Sequence, residues 1–216
     1  MFQGFNAQTC DFFMQLRFNN NKQWFEDNRG VFNTHVLEPL KELCIELTPT
    51  ILSIDPELNV TPNMTGAISR IYRDTRFSND KSPLRDHMWL IFKRRGDDCT
   101  TMGFYFEIGC ERIIYGMGMY GADIANMNQY RERIGKRPQK WLAIALRSEK
   151  RFTLMGEDYV RSPYTGSDVL KPYVDKKHMY WSCERPVDQR CFTSALADEV
   201  KSGFELLGNV YKFLVL

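Results

Sequence analysis

Between Arg70 and His87 the chain reads RIYRDTRFSNDKSPLRDH, the densest concentration of chemically capable side chains in its 216 residues. Arg70, Arg73, Arg76, Lys81 and Arg85 are permanent cations, and Asp74, Asp80 and Asp86 are interleaved with them. Ile71, Tyr72 and Phe77, which favour burial, share the segment. A guanidinium matches carboxylate or phosphate through parallel N–H donors, whereas an ammonium acts as a point charge. Arg73, Arg76 and Lys81 are therefore the first candidates to hold a small anion, with Arg70 and Arg85 flanking them. Ser78, Asn79 and the backbone of a tight loop would add donors.

Two other readings use the same residues. Buried cations need partners, so an Arg–Asp network that locks a long loop explains the composition equally well. Alternatively, Asp74 or Asp80 performs acid–base or metal chemistry, with His87 as a base. No third carboxylate or histidine stands at metal-ligand spacing with these aspartates, so no metal is expected. A histidine opening an apolar strand is also more often structural than catalytic.

The elements that must position this segment differ on its two sides. Upstream, Phe12, Phe13 and Leu16 share a helical face with Thr9 as the cap, and Asn20 with Gln23 has the form of a capping box. The series Trp24, Val31, Val36, Leu40, Leu43, Leu47 and Ile51 continues at helical spacing, and Pro39 should kink or split it near Leu37. Then the period changes. Residues 67–72 read as a strand, which sends Arg73 to the same side as Ile71 and so towards partial burial. HMWLIFKR (87–94) reads as a central strand covered on both faces. Arg95-Gly96-Asp97-Asp98 makes a turn. The following strand puts Met102, Phe104, Phe106 and Ile108 on one face and Gly103, Tyr105 and Glu107 on the other. Residues 112–120 place Ile113, Tyr115, Met117 and Met119 opposite Ile114, Gly116 and Gly118. Two glycines on one strand face leave it bare, to be filled by a closely packed helix or by a ligand; Gly116 and Gly118 are thus candidate ligand contacts.

Helical patterns return over 125–136, 138–149 and 197–213, the last with Val200, Phe204, Leu207, Val210 and Tyr211 as its stripe. Residues 152–183 are mixed. The expected class is α+β: an antiparallel sheet of hairpin-linked strands with N-terminal, middle and C-terminal helices packed on it, as a single domain over 1–216.

Composition narrows the function classes. An apolar share of 43% is ordinary for a globular chain, and a net charge of +2 counts against nucleic-acid binding. The cysteines at 10, 44, 99, 110, 183 and 191 form no CxxC pair, and the N-terminus has no signal-peptide pattern. No apolar run approaches a membrane span. The chain reads as cytoplasmic with reduced thiols. Walker, GxGxxG, HExxH and GxSxG motifs are absent, so no cofactor is expected.

The central segment resembles the domain of unknown function 2461 family, widespread in bacteria and present in some fungi and plants. Arg70, Arg73, Asp74, Arg76, Phe77, Asp80 and Lys81 match its RxxRDxRFxxDK-type motif. Asn20, Asn21, Trp24 and Phe25 correspond to an N-terminal element, and the likeness continues through FYFEIG, the glycine strand and the helix around Arg131. The chain departs from the family where DKxPYK is usual: Leu84 stands in the tyrosine's place, followed by Arg85. The resemblance therefore implies a site at the Arg/Asp/Lys cluster that does without that hydroxyl, and it implies no particular activity.

Overall fold

The computed structural model describes residues 1–216 apart from Phe77, Cys99, Ala122 and Pro163, so the readings placed on Phe77 and Cys99 lie outside the described residues. The chain is α+β, with helices at its N-terminus, middle and C-terminus around an antiparallel sheet.

Helix α1 (Ala7–Phe18) starts three residues earlier than a Thr9 cap implies. Asn6 is the cap and accepts from the Thr9 N–H at 3.1 Å, while the Thr9 hydroxyl accepts from the Asn6 N–H. Thr9 thus completes the box as its third helical residue. Helix α2 (Lys22–Asp27) is capped by Asn21 instead of Asn20: Asn21 Oδ1 accepts from the Trp24 N–H at 2.9 Å. Helix α3 (Arg29–Phe32) passes through a π-helical turn at Asn33–Leu37 into α4 (Glu38–Ile54). The expected break near Leu37 falls at that turn, and Pro39 sits in the first turn of α4, where its missing N–H costs little.

Strands β1 (His87–Phe92), β2 (Gly103–Gly109) and β3 (Arg112–Gly118) are consecutive antiparallel neighbours. Then come α5 (Ile124–Lys136), α6 (Pro138–Ser148), β4 (Thr153–Met155), α7 (Lys171–Val174), β5 (Tyr180–Pro186) and α8 (Ala195–Leu214). Strand order is β1-β2-β3-β5-β4. One face carries Phe92, Phe104, Phe106, Ile113, Tyr115 and Trp181 into the core. Helix α8 packs there: Phe204 meets the Phe104 and Phe92 rings edge-on at 5.2 and 6.2 Å. The Tyr211 hydroxyl donates to buried Asp55 at 2.7 Å, and Arg94 donates to the same carboxylate oxygen at 2.8 Å. That shared acceptor ties the ends of α4, β1 and α8 together.

Three expectations change. β1 is an edge strand of this sheet, and its burial alternates, with His87, Trp89 and Ile91 half-exposed. Residues 67–72 are not a strand. They touch β1 through the bridge Ile68–Leu90, and the Ser69 hydroxyl accepts the Trp89 N–H at 3.0 Å, so a side chain stands where a ladder bond would be. Finally, the glycine face is not bare. A Cβ on Gly116 would lie 1.9 Å from the Trp181 carbonyl oxygen and 2.7 Å from the Tyr105 hydroxyl; one on Gly118 would lie 2.1 Å from the Tyr180 Cβ. Neither a helix nor an open groove uses this space. Strand β5 and a cross-strand tyrosine do.

Gly116→Ala should therefore force β5 away from β3 and destabilise the fold by about 3 kcal/mol, read as a shift in a chemical denaturation midpoint. A neutral substitution would contradict the close approach.

Candidate functional site

The segment 70–86 doubles back on itself before leading into β1. Arg73 N–H donates to the Pro83 carbonyl at 2.8 Å and Arg85 N–H to the Ile71 carbonyl at 2.8 Å, on either side of the bridge Tyr72–Leu84. Asn20 holds the returning arm. Its Nδ2 donates to the Leu84 carbonyl at 2.9 Å, and its Oδ1 accepts from the Leu84 N–H at 3.0 Å. The amide thus imitates one residue of a neighbouring strand, and Leu84 itself is buried.

Most of the loop's charges satisfy one another. Arg73 is half-buried and pairs with Asp80. Arg76 forks onto Asp74, with Nε 2.9 Å from Oδ1 and Nη2 2.6 Å from Oδ2. This fork pulls the Asp74 carboxyl down to about 2. Arg73, helped by the Ser82 N–H, likewise holds Asp80 well below the usual carboxylate range. Lys81 donates to the Thr75 carbonyl at 3.0 Å. Arg17, from α1, reaches Asp86 at 2.5 Å and Glu111 at 3.1 Å. Burial opposes ionisation of Asp86, but hydrogen bonds from His87 and Arg17 keep its carboxyl below the ordinary value.

Arg85 is different. Its Nη1 donates to the carbonyls of Arg70 (2.9 Å) and Tyr72, and its guanidinium carbon lies 4.8 Å from the centre of the Trp89 ring. No carboxylate is paired with it among the described residues. Burial, then the nearby charge of Arg73, lower its proton affinity, which marks a cation whose charge is not compensated locally. The exposed Arg70 side chain also has no partner among the described residues, and its carbonyl supports Arg85.

A cleft of about 550 Å³ opens between this loop and α1, bounded by Arg17, Asn20, Arg73, Asp80, Arg85 and His87. Asp74 also lines it, whereas Arg76 and Lys81 do not. His87, hydrogen-bonded to Asp86 at 3.0 Å and stacked on Trp89 at 5.6 Å, is a shared wall with a second cleft of about 600 Å³ on the outer sheet face. Tyr105, Glu107, Ile114, Tyr180 and Ser182 line that one. Tyr120 closes it, its ring 5.5 Å from Tyr105 and 4.9 Å from Tyr180. Gly116 and Gly118 lie against Tyr105 and Tyr180, so they shape the floor through those rings.

The sequence reading did not single out Trp89, Tyr105, Glu107, Tyr120 and Tyr180 as cleft residues. Trp89, Tyr105 and Glu107 share the outer row of β1 and β2, which alternation could have shown; Tyr120 and Tyr180 come beside them only through the pairing of β3 with β5. Among the described residues no group of three or more His, Cys, Asp or Glu side chains is placed to hold a metal ion, and no helix is long and apolar enough to cross a membrane.

What fold and site define is an α+β protein whose partly open sheet face is rimmed by an arginine–aspartate loop. Residues 8–213 match the model of the family described as conserved hypothetical protein, domain of unknown function 2461, and the chain belongs to that family. No curated protein matches it.

Two measurements check the loop. Asn20→Ala leaves the Leu84 N–H and carbonyl without their partner, which should cost about 1–3 kcal/mol and speed amide exchange at 71–73 and 83–85; unchanged exchange would contradict the clamp. The Asp74 carboxyl is depressed on folding, so its stabilisation is complete above the ordinary aspartate value of ~3.9. It fades as pH falls through about 2. An NMR titration of Asp74 should have its midpoint near 2, and a midpoint of ~3.9 would mean the Arg76 fork does not form.

Proposed function

We propose that the chain binds a small ligand bearing a phosphate or carboxylate group, in the cleft between the 70–86 loop and α1. The observation that carries this reading is Arg85, a guanidinium fixed by two carbonyls and an indole face but given no carboxylate partner. Such pre-positioning removes the ordering cost that a free arginine side chain would bring to binding. Arg73, paired with Asp80, lines the same cleft. Asp74 and Asp80 orient Arg76 and Arg73 and are kept ionised by them, which suits positioning better than proton transfer. His87, open to both clefts, is the group placed to exchange a proton with a bound molecule.

The loop-locking reading has its own support in the Arg73–Asp80, Arg76–Asp74 and Arg17–Asp86 pairs. The two readings divide the cluster between them: the paired residues build the wall, and Arg85 faces the ligand. A polyphosphate chain fits poorly, because Asp74, Asp80 and Asp86 line the same cleft.

The test is calorimetric titration and thermal denaturation with inorganic phosphate and with malonate, at matched ionic strength. Either anion should raise the melting temperature relative to chloride by mass action. Arg85→Gln should weaken binding by about tenfold or more while the unliganded protein stays folded. Absence of any anion-specific shift, or unchanged affinity in Arg85→Gln, would overturn the proposal.

A further inference from the structure

Glu107 occupies the middle of β2 on the outer sheet face, opposite Trp89 on β1 and Ile114 on β3. It is half-buried, yet its carboxylate has no hydrogen bond or ion pair among the described residues. Arg112, on the neighbouring strand, is already paired with Glu184 at 2.9 Å. A partly desolvated carboxylate without a counter-charge is unfavourable in the empty protein, and a ligand that supplies one relieves it. The contrast with the loop is sharp, because there every aspartate is matched to an arginine.

The surroundings of Glu107 narrow what that ligand group is. A cleft of about 340 Å³ lies over it, walled by Trp89, Tyr105, Tyr120, Ile91 and His87. Aromatic faces attract a cation through their quadrupoles, most strongly where water is excluded. Burial raises the Tyr105 and Tyr120 hydroxyls above the ordinary tyrosine value, with Tyr180 and Glu107 adding to it, so both phenols stay neutral. The Tyr105 hydroxyl is also anchored, donating to the Trp181 carbonyl at 3.2 Å. Carboxylate floor, fixed aromatic walls and a small volume together describe a receptor for a compact organic cation.

We propose that the cleft over Glu107 is a subsite for a primary ammonium or amidinium group carried on a small flat body. The cation lies on the Trp89 and Tyr105 side of the cleft and is neutralised by Glu107. One consequence rests on the anion reading above. Arg85 and Glu107 flank the same Trp89 indole, one against its ring and the other opposite it in register. A molecule that engages both is a zwitterion about the size of an amino acid.

Calorimetry with three probes separates the two claims: benzylammonium, inorganic phosphate and 4-(aminomethyl)benzoate. Benzylammonium should bind wild type, and Glu107→Gln, which keeps the shape and removes the charge, should weaken it by about tenfold or more. Phosphate binding should stay within about twofold in that variant. The zwitterion should bind more tightly than either single-charge probe and should lose affinity in both Glu107→Gln and Arg85→Gln. The melting temperature of each unliganded variant reports that the fold is kept. Phosphate binding with no benzylammonium binding, or benzylammonium binding indifferent to Glu107→Gln, would overturn the cation subsite and leave the anion reading standing. Glu107-dependent benzylammonium binding without phosphate binding would support the subsite and refute the anion reading.

Discussion

Strand β5 lies beside β3 only because positions 116 and 118 carry no side chain. At Gly116 the Trp181 carbonyl oxygen occupies the place of a Cβ, and the Tyr105 side chain crosses from β2 to donate to that same carbonyl. A cross-strand aromatic opposite a glycine in register is a known way to recover packing that the glycine forfeits. Much follows from this contact. It admits the strand that completes the sheet, pins Tyr105 across the outer face, and sets Tyr180 where it stacks on Tyr120. The cleft floor is thus a by-product of sheet closure.

Electrostatics divides the surroundings of this floor into satisfied and unsatisfied charge. Each aspartate of the loop is matched with an arginine, two from the loop itself and one, Arg17, from α1, and exposure keeps the worth of such pairs modest. Their role is conformational: with Asn20 gripping Leu84, they hold a segment that has no ladder of its own. What remains unmatched is informative. Arg85 is braced by carbonyls and an indole, and Glu107 stands on the floor beside the same indole. Two uncompensated charges of opposite sign, held apart by a tryptophan ring, are a poor arrangement for stability alone and a good one for holding a dipolar molecule.

Much of the framework was legible in the sequence because it rests on local pattern. The faces of β2 and β3 were readable from clean alternation, α8 from its apolar stripe, and the break before α4 from Pro39. The losses share one cause, dependence on contacts distant in sequence. Strand β5, YWSCERP, is poor in β-branched residues, and its inward Arg185 is tolerable only because Glu199 of α8 meets it at 2.9 Å. Asn20 looks like a helix cap and instead serves a loop more than sixty residues away (|i−j| = 64). β1 looked doubly covered because His87, Trp89 and Ile91 are large, although their face is half-open. The charged segment itself was conspicuous, but which of its cations are neutralised was not, since that depends on how the loop folds back.

The central claim is that Arg85 waits for an anion above Trp89. The most direct measurement is a crystal structure of the protein soaked with tungstate, whose anomalous signal marks a phosphate-like oxyanion unambiguously. The account predicts tungstate within hydrogen-bond reach of the Arg85 guanidinium, inside the cleft shared with Arg73 and His87. Tungstate found only elsewhere on the surface, with Arg85 turned onto a carboxylate of its own chain, would contradict it.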